Sequence, residues 1–450
     1  MIRVHNTMGR ETVELITRDV GKVGIYVCGP TVQSEPHVGH GRYAVAFDVI
    51  RRYLTWRGLG VTYVSNITDV EDKIIAAAAE LGEPVEKLAI EMAARFSDAF
   101  RRLGVLAPDV EPKATEHIPE MLELITTLID RGLAYEADGD VYFSVRALPS
   151  YGRLSGRRPE ELRAGSRIAI DERKDDPLDF ALWKTAKPGE PSWESPWGPG
   201  RPGWHIECSA MAAKYLGDGF DIHGGGLDLI FPHHENEVAQ SEGASESTFA
   251  RYWLHNGMVN LGGEKMSKST GRVVDLESIL RDHGGRALRL LYVRAHYRSP
   301  IEYSEDLLAD AAESLERLER FQARVGEGDP DESALAAFRE AMDDDFGTPQ
   351  AVSLLFDLVR DGNRLLDRGE DASAIGGAVA EIVGVLGIGD AEAAPERSTI
   401  DDATIEELVS ARELARAERR FDEADRIRDE LAAAGVVIED GVDGTRWIRR

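Results

Sequence analysis

Two short segments, far apart in the chain, carry the residue types needed to handle a nucleoside triphosphate: His37-Val38-Gly39-His40 and Lys265-Met266-Ser267-Lys268-Ser269. Either match alone is common in a chain of 450 residues. In this order, and behind a strand–loop–helix start, they gain weight. Two imidazoles, two ammoniums and a helix N-terminus opened by glycine suit a reaction in which negative charge builds on an α-phosphate and a departing pyrophosphate. Gly39 removes a side chain where a phosphate could approach, and the helix that follows adds its positive end. Two histidines three apart are also an ordinary loop cluster. Lys265 and Lys268 lie between Gly262-Gly263 and Gly271, so their loop can close on a substrate. A surface lysine pair is also an ordinary solvated face. Among the 53 basic residues only ten are lysines, and none follows Lys268. A lysine kept in so arginine-rich a chain points to a mobile point charge on phosphate.

A third constellation is Phe231-Pro232-His233-His234-Glu235-Asn236-Glu237. Pro232 suits the first turn of a helix. On that helix His233 and Glu237 share a face, and His234 is expected to point elsewhere. With the two cysteines of the chain, Cys28 and Cys208, they form a four-ligand set of the kind zinc takes. The same residues also fit inert buried thiols and a helix start with a surface salt bridge.

The elements that must position these groups can be read from period and punctuation. Val23–Val27 reads as a buried strand stopped by Cys28-Gly29-Pro30. Tyr43–Trp56 has helical spacing and ends at Gly58 and Gly60. Val61–Asn66 is a second strand, and Thr68-Asp69-Val70-Glu71-Asp72 opens a helix like a capping box. This is half of a doubly wound sheet. From about Glu111 to Pro199 the pattern changes: a helix near 118–131, short strands at 134–136 and 141–144, and a Pro-, Gly- and Trp-rich loop from Lys187 to Trp204. That stretch reads as an insertion, after which the sheet resumes near Phe220–His223. From Ser304 on the chain is helical by period. Leu307, Ala311, Leu315, Leu318 and Phe321 lie on one face, and Ala351, Leu354, Leu355 and Leu358 on another. Gly326–Pro330 and Gly387–Pro395 read as linkers. Two helices, Thr404–Glu418 and Phe421–Ala434, precede a hairpin signal from Val436–Ile438 to Arg446–Ile448.

Composition bounds the rest. The length fits about three domains, and 42% hydrophobic content is that of a globular protein. No run of ~18 apolar residues is present, so no membrane helix is expected. The N-terminus lacks the apolar core of a signal peptide, which predicts a cytoplasmic protein. The net charge of −28 ordinarily argues against a polyanionic partner. Acidic excess with few lysines is what a protein needs in molar salt, where the Debye length is ~3 Å. An acidic enzyme from an arginine-biased genome fits the same numbers.

Several long segments, in order, resemble the cysteinyl-tRNA synthetases of the class I aminoacyl-tRNA synthetases: Tyr26–Val32, Pro36–Arg42, Asn66–Asp69, Gly203–Met211, His223–Gly226, Phe231–Glu237 and Lys265–Ser269. The resemblance implies an α/β fold. A Rossmann-like doubly wound catalytic domain (1–110 and 200–260) is split by a connective insertion (111–199). A mobile-loop and stem-contact region (261–303), an α-helical bundle that binds tRNA (304–390) and a small C-terminal α+β anticodon-binding domain (396–450) follow. It also implies roles. Cys28, Cys208, His233 and Glu237 match zinc ligands. His37 and His40 match the ATP-phosphate signature, with Val38 for the commoner Ile. Lys265 and Lys268 match the mobile loop, where Thr270 and Arg272 depart from the commonest residues. Thr68, Trp204 and His223 match the cysteine pocket, and Gly39, Gly225, Asp228 and Lys268 the nucleotide side. The implied partners are ATP with Mg2+, L-cysteine and tRNA(Cys), with a monomer favoured and no membrane. The activity expected is cysteinyl-adenylate formation and transfer to tRNA. A related ligase that joins cysteine to an amino sugar should lack the tail. Here the tail reaches Arg450 and carries Arg412, Arg416, Arg419, Arg420, Arg426 and Arg428. A non-catalytic tRNA- or metal-binding paralogue is disfavoured because every phosphate-handling residue is present.

Overall fold

The computed structural model describes residues 1–158, 173–262, 264–265 and 273–389, and in the C-terminal part 402–417, 420, 424, 426–428, 431, 436–441 and 444–449. It divides into two compact units, Met1–Gly389 and Asp390–Arg450.

In the first unit a hairpin of β1 (Arg3–Asn6) and β2 (Glu11–Glu14) leads into β3 (Lys22–Val27), α1 (Val38–Trp56) and β4 (Gly60–Ser65). β3 is buried almost throughout, as its β-branched run predicts. α2 (Asp72–Leu81), α3 (Val85–Arg102) and α4 (Ile118–Asp130) follow. Next comes an antiparallel sheet of β5 (Ala134–Ala137), β6 (Asp140–Phe143), β7 (Phe180–Thr185) and β8 (Gly200–Pro202). α5 (Trp204–Leu216), β9 (Phe220–Gly226), α6 (Glu235–Ser245) and β10 (Ala250–Asn256) return the chain to the first sheet. That sheet is wholly parallel, in the order β10-β9-β3-β4. The chain leaves β3 through α1 to β4 on one side and leaves β9 through α6 to β10 on the other. The carboxyl ends of β3 and β9 are therefore the switch point, where an open α/β sheet offers a crevice for a ligand. Beyond β10 lie β11 (Val259–Leu261), β12 (Glu264–Lys265), α7 (Leu276–Asp282), α8 (Gly285–Val293) and β13 (Ile301–Glu302), with β11 pairing both β12 and β13.

The helical bundle comprises α9 (Glu305–Arg324), α10 (Glu332–Asp343), α11 (Thr348–Asp367) and α12 (Ser373–Leu386). One hydrophobic core runs from the sheet into the bundle, taking in Val27, Ile50 and Leu254 with Leu308, Phe338 and Ile382. In the second unit α13 (Asp402–Ala417) and the helical residues Ile427 and Leu431 bury Ile405 and Val409. β14 (Val436–Gly441) pairs with β15 (Gly444–Arg449), Ile438 opposite Trp447.

Several expectations need correction. α1 begins at Val38 rather than Tyr43, so His40 lies in its first turn. α2 is capped by Glu71, which accepts from Lys73 N at 2.6 Å, and not from Thr68. Thr68 is buried and bridges Thr31 in extended conformation. The stretch from Lys187 to Trp204 is not all loop, because β8 lies in it and Trp204 opens α5. Leu307 faces solvent and Leu308 takes the core position. Its spacing to Ala311, Leu315 and Leu318 is the better helical stripe. Gly326–Pro330 joins two helices of one bundle, with Gly328 O close against Gly377. Arg412 is buried. Arg419, most of Phe421–Ala434 and the side chains of Arg446 and Trp447 lie outside the described residues. No helix among the described residues is long and apolar enough to cross a membrane.

Candidate active site

Four elements meet at the switch point. Cys28 follows β3, Cys208 lies on α5, His233 lies in the turn before α6, and Glu237 is on the first turn of α6. All four are buried, and their ligand atoms lie within 4.8 Å of one another. Cys28 Sγ is 3.4 Å from Glu237 Oε1, and His233 Nε2 is 3.2 Å from the same oxygen. His223 Nε2 approaches Glu237 Oε2 at 2.8 Å. A fully buried carboxyl among thiols and imidazoles calls for a cation or a proton. Burial, together with the neighbouring thiol and Glu237, pushes the Cys28 thiol well above its usual range. Burial holds the His233 and His234 imidazoles well below theirs, so both are neutral and offer lone pairs. A divalent cation reverses the repulsion among the acidic groups and uses those lone pairs. The set therefore fits zinc.

Sequence reasoning missed three histidines here. His234 was expected to point away, yet its Nε2 is 3.9 Å from Glu237 Oε1. The i,i+3 relation puts it on the same face as the i,i+4 relation puts His233, which was legible. The turn at 230–234 is also not regular helix, since Phe231 is extended. His205 Nδ1 meets His233 Nδ1 at 2.9 Å, and His255 Nε2 meets His234 Nδ1 at 2.8 Å. Each holds the rear nitrogen of an imidazole that faces Glu237, as outer partners of metal ligands do. Burial pulls both His205 and His255 down to about 3.

The predicted cysteine-pocket residues surround this cluster. Trp204 packs on His233 with ring centroids 4.3 Å apart, and Lys73 Nζ lies 5.3 Å over the Trp204 ring. His223 stacks on Trp253 at 4.4 Å. Thr68 Oγ1 accepts from Asn66 Nδ2 at 3.2 Å. The same amide's Oδ1 accepts from Gly29 N at 2.9 Å and lies 3.6 Å from Cys208 Sγ. Asn66 thus ties the thiol edge to the Thr68 edge. A side chain on Gly29 would collide with Asn66 O.

The chain that leaves β3 past Cys28 runs on to the start of α1. His37 is its N-cap, and His37 N donates to His40 Nδ1 at 3.1 Å. The two rings stack at 3.6 Å. Gly39 is the second helical residue. Gly225 lies on β9 where a Cβ would sit 2.8 Å from His234 Cε1, so packing against His234 requires a glycine here. Asp228 is exposed just beyond. Lys265 pairs through its backbone with Asn260, and its side chain lies outside the described residues. Met266, Ser267, Lys268, Ser269, Thr270 and Arg272 lie outside them too. The chain that follows is tied to the first signature: Val38 N donates to Val274 O at 3.1 Å, and Leu276 N to Pro36 O at 3.1 Å.

Comparison with known proteins agrees with this geometry. Residues 15–313 match the family described as tRNA synthetases class I (C) catalytic domain, 337–389 the DALR domain, and 402–447 the cysteinyl-tRNA ligase anticodon binding domain. The chain is 50% identical to the cysteine--tRNA ligase of Thioalkalivibrio sulfidiphilus over 459 residues, covering 100% of both. It is 49% identical to that of Stutzerimonas stutzeri, covering 99% of both. Among solved structures it resembles Mycobacterium tuberculosis methionyl-tRNA synthetase in complex with methionyl-adenylate, with a TM-score of 0.60 at 16% identity, over 82% of this chain and 90% of that one. A putative arginyl synthetase from Campylobacter jejuni gives 0.54 at 12% identity, over 82% and 91%. These distant likenesses establish the class I fold. Identity over the full length, with all three domains in order, establishes more: the chain belongs to the cysteinyl-tRNA synthetase family of ATP-dependent ligases.

Proposed function

We propose that the cluster at the switch point selects L-cysteine and that the start of α1 handles ATP in a two-step charging of tRNA(Cys). In the first step the cysteine carboxylate attacks the α-phosphorus of ATP, pyrophosphate leaves and cysteinyl-adenylate forms. In the second a terminal ribose hydroxyl of tRNA, the 2′ one by class resemblance, attacks the adenylate carbonyl and AMP leaves. Cys28, Cys208, His233 and Glu237 would hold one zinc ion. When bound, zinc supplies a soft site for the substrate thiolate, which a serine hydroxyl matches poorly. Thr68, Trp204 and His223 enclose the amino acid. His37 and His40, with Gly39 and the amides of the helix start, receive the phosphates and their Mg2+, and Lys265 and Lys268 close over them. Gly225 leaves room for adenosine beside β9, and Asp228 can accept from the ribose hydroxyls.

The observation that carries this reading is a buried thiol–imidazole–carboxylate cluster built on the carboxyl end of β3, the strand whose chain runs on into the His37–His40 helix start. The bundle (304–390) and tail (396–450) are assigned to tRNA, 261–303 to the mobile loop and the tRNA stem, and 111–199 is the connective insertion. We assign a monomer working in the cytoplasm. The test is cysteine-dependent ATP–pyrophosphate exchange, followed by radiolabelled cysteine and tRNA(Cys). Exchange with label on tRNA is expected. Exchange without charging would favour the amino-sugar ligase, and no exchange would favour a non-catalytic paralogue.

A further inference from the structure

Two groups of four, not one, meet the geometry of a metal site in this core: Cys28, Cys208, His233, Glu237 and Cys28, His223, His234, Glu237. In each, the ligand atoms lie within 4.8 Å of one another and all residues are buried. Cys28 and Glu237 belong to both groups, so the two groups overlap. We propose that the zinc ion of this protein has two overlapping seats, the second formed by His223 and His234 in place of Cys208 and His233. This rests on the zinc reading above and adds to it a binding position that the four-ligand assignment does not contain.

The second seat is built as a ligand site is built. His234 Nδ1 is held by His255 Nε2 at 2.8 Å, and His255 Nδ1 by Thr7 Oγ1 at 2.7 Å. The outer chain fixes the ring with Nε2 turned toward Glu237. That Nε2 is fully buried and has no hydrogen-bond partner among the described residues. A buried, unpartnered imidazole nitrogen aimed at a carboxylate calls for a cation or a proton. His223 is fixed in turn by its stack on Trp253 and offers Nε2 to Glu237 Oε2 at 2.8 Å. The donors differ between the seats. The first has two sulfurs and favours zinc strongly, while the second has one sulfur and two imidazoles and is the harder set. Loss of Cys208 therefore moves the ion toward His223 and His234 instead of releasing it.

The experiment compares zinc affinity, by competition with a chromogenic chelator, for His234→Gln made in the parent and in the Cys208→Ser protein. With two seats, His234→Gln costs at least about tenfold more affinity in the Cys208→Ser background than in the parent, the size expected when an imidazole changes from bystander to ligand. Equal losses in the two backgrounds would overturn the second seat. If Cys208→Ser fails to fold by circular dichroism, His233→Gln replaces it as the background, with the same two outcomes. A folded parent that holds no zinc would instead overturn the zinc reading itself, so the two failures are distinguishable.

Discussion

Cys208 and Lys268 test the chemistry from opposite sides. Cys208 is buried in the thiol–imidazole–carboxylate cluster, with its sulfur beside Asn66 Oδ1. Replacing it with serine exchanges a soft ligand for a hard one. The expected result is weaker zinc binding and a steeply raised KM for cysteine, read by exchange kinetics; a KM unchanged with full zinc content would remove Cys208 from the site. Lys268→Ala should do the reverse. A charge that meets phosphate mainly in the transition state lowers kcat more than it raises KM. An unchanged exchange rate would show that the loop is not catalytic. How far such residues were legible depended on how local their signal is. The His37–His40 and Lys265–Ser269 segments are contiguous and could be noticed directly. The thiols stand 180 positions apart, so residue types could join them to His233 and Glu237 only as one of two readings, and resemblance to a family favoured the ligand set. His205 and His255 carry no such pattern. Their role comes from the rear-nitrogen contacts, which only the fold creates.

At the scale of elements, α1 is held by buried charge. Asp48 on α1 pairs with Arg289 on α8 and with Arg52, and Asp48 Oδ1 accepts from Leu106 N at 2.8 Å. Arg289 also donates to Leu386 O at 2.9 Å, at the end of the bundle. Burial alone would raise the Asp48 carboxyl, but Arg289, Arg52 and the Leu106 amide hold it below its ordinary 3.8. A depressed carboxyl adds stability above its unfolded pKa, and the contribution is lost as pH falls through the folded value. Asp48→Asn leaves a buried guanidinium uncompensated, at a cost of about 3–5 kcal/mol. Urea unfolding should show that deficit in full at pH 7 and a shrinking one below about pH 4, where the parent loses the same charge. A deficit independent of pH would mean that the loss is one of packing. None of this was visible in the sequence, because charged residues in a helical pattern read as solvated. The strands β3 and β4 were legible, since short runs rich in β-branched and aromatic residues, closed by turn residues, have few other meanings. The first turn of α1 was not, because Gly39 and His40 read as loop until the helix behind them is buried.

The whole molecule carries a net charge of −28 and must still bring a polyanion to its surface. Its two compact units divide at Gly389, inside the stretch read as a linker, whereas a single core joins the sheet to the bundle. The linker was legible from its glycine, proline and small residues. The shared core was not, because helical stripes do not say which neighbour they cover. Deleting the residues after Pro395 should therefore keep cysteine-dependent exchange and abolish charging of tRNA. Equal charging by the shortened protein would mean that the tail does not read tRNA. Salt should act against the usual rule. Phosphate contacts normally weaken steeply as salt rises, because counterion release is lost. If the chain is salt-adapted, low salt imposes two larger penalties, self-repulsion that loosens the fold and repulsion of tRNA by the acidic surface. At ~1 M the Debye length is ~3 Å, which relieves both while contacts at bonding distance persist. Arginine contacts and base stacking then remain to supply specificity. Across a KCl series, aminoacylation and the thermal midpoint are both expected to rise toward molar salt. A steady fall of both from 50 mM upward would reject salt adaptation and leave the ligase assignment standing, since that assignment rests on the three matched domains and not on the charge.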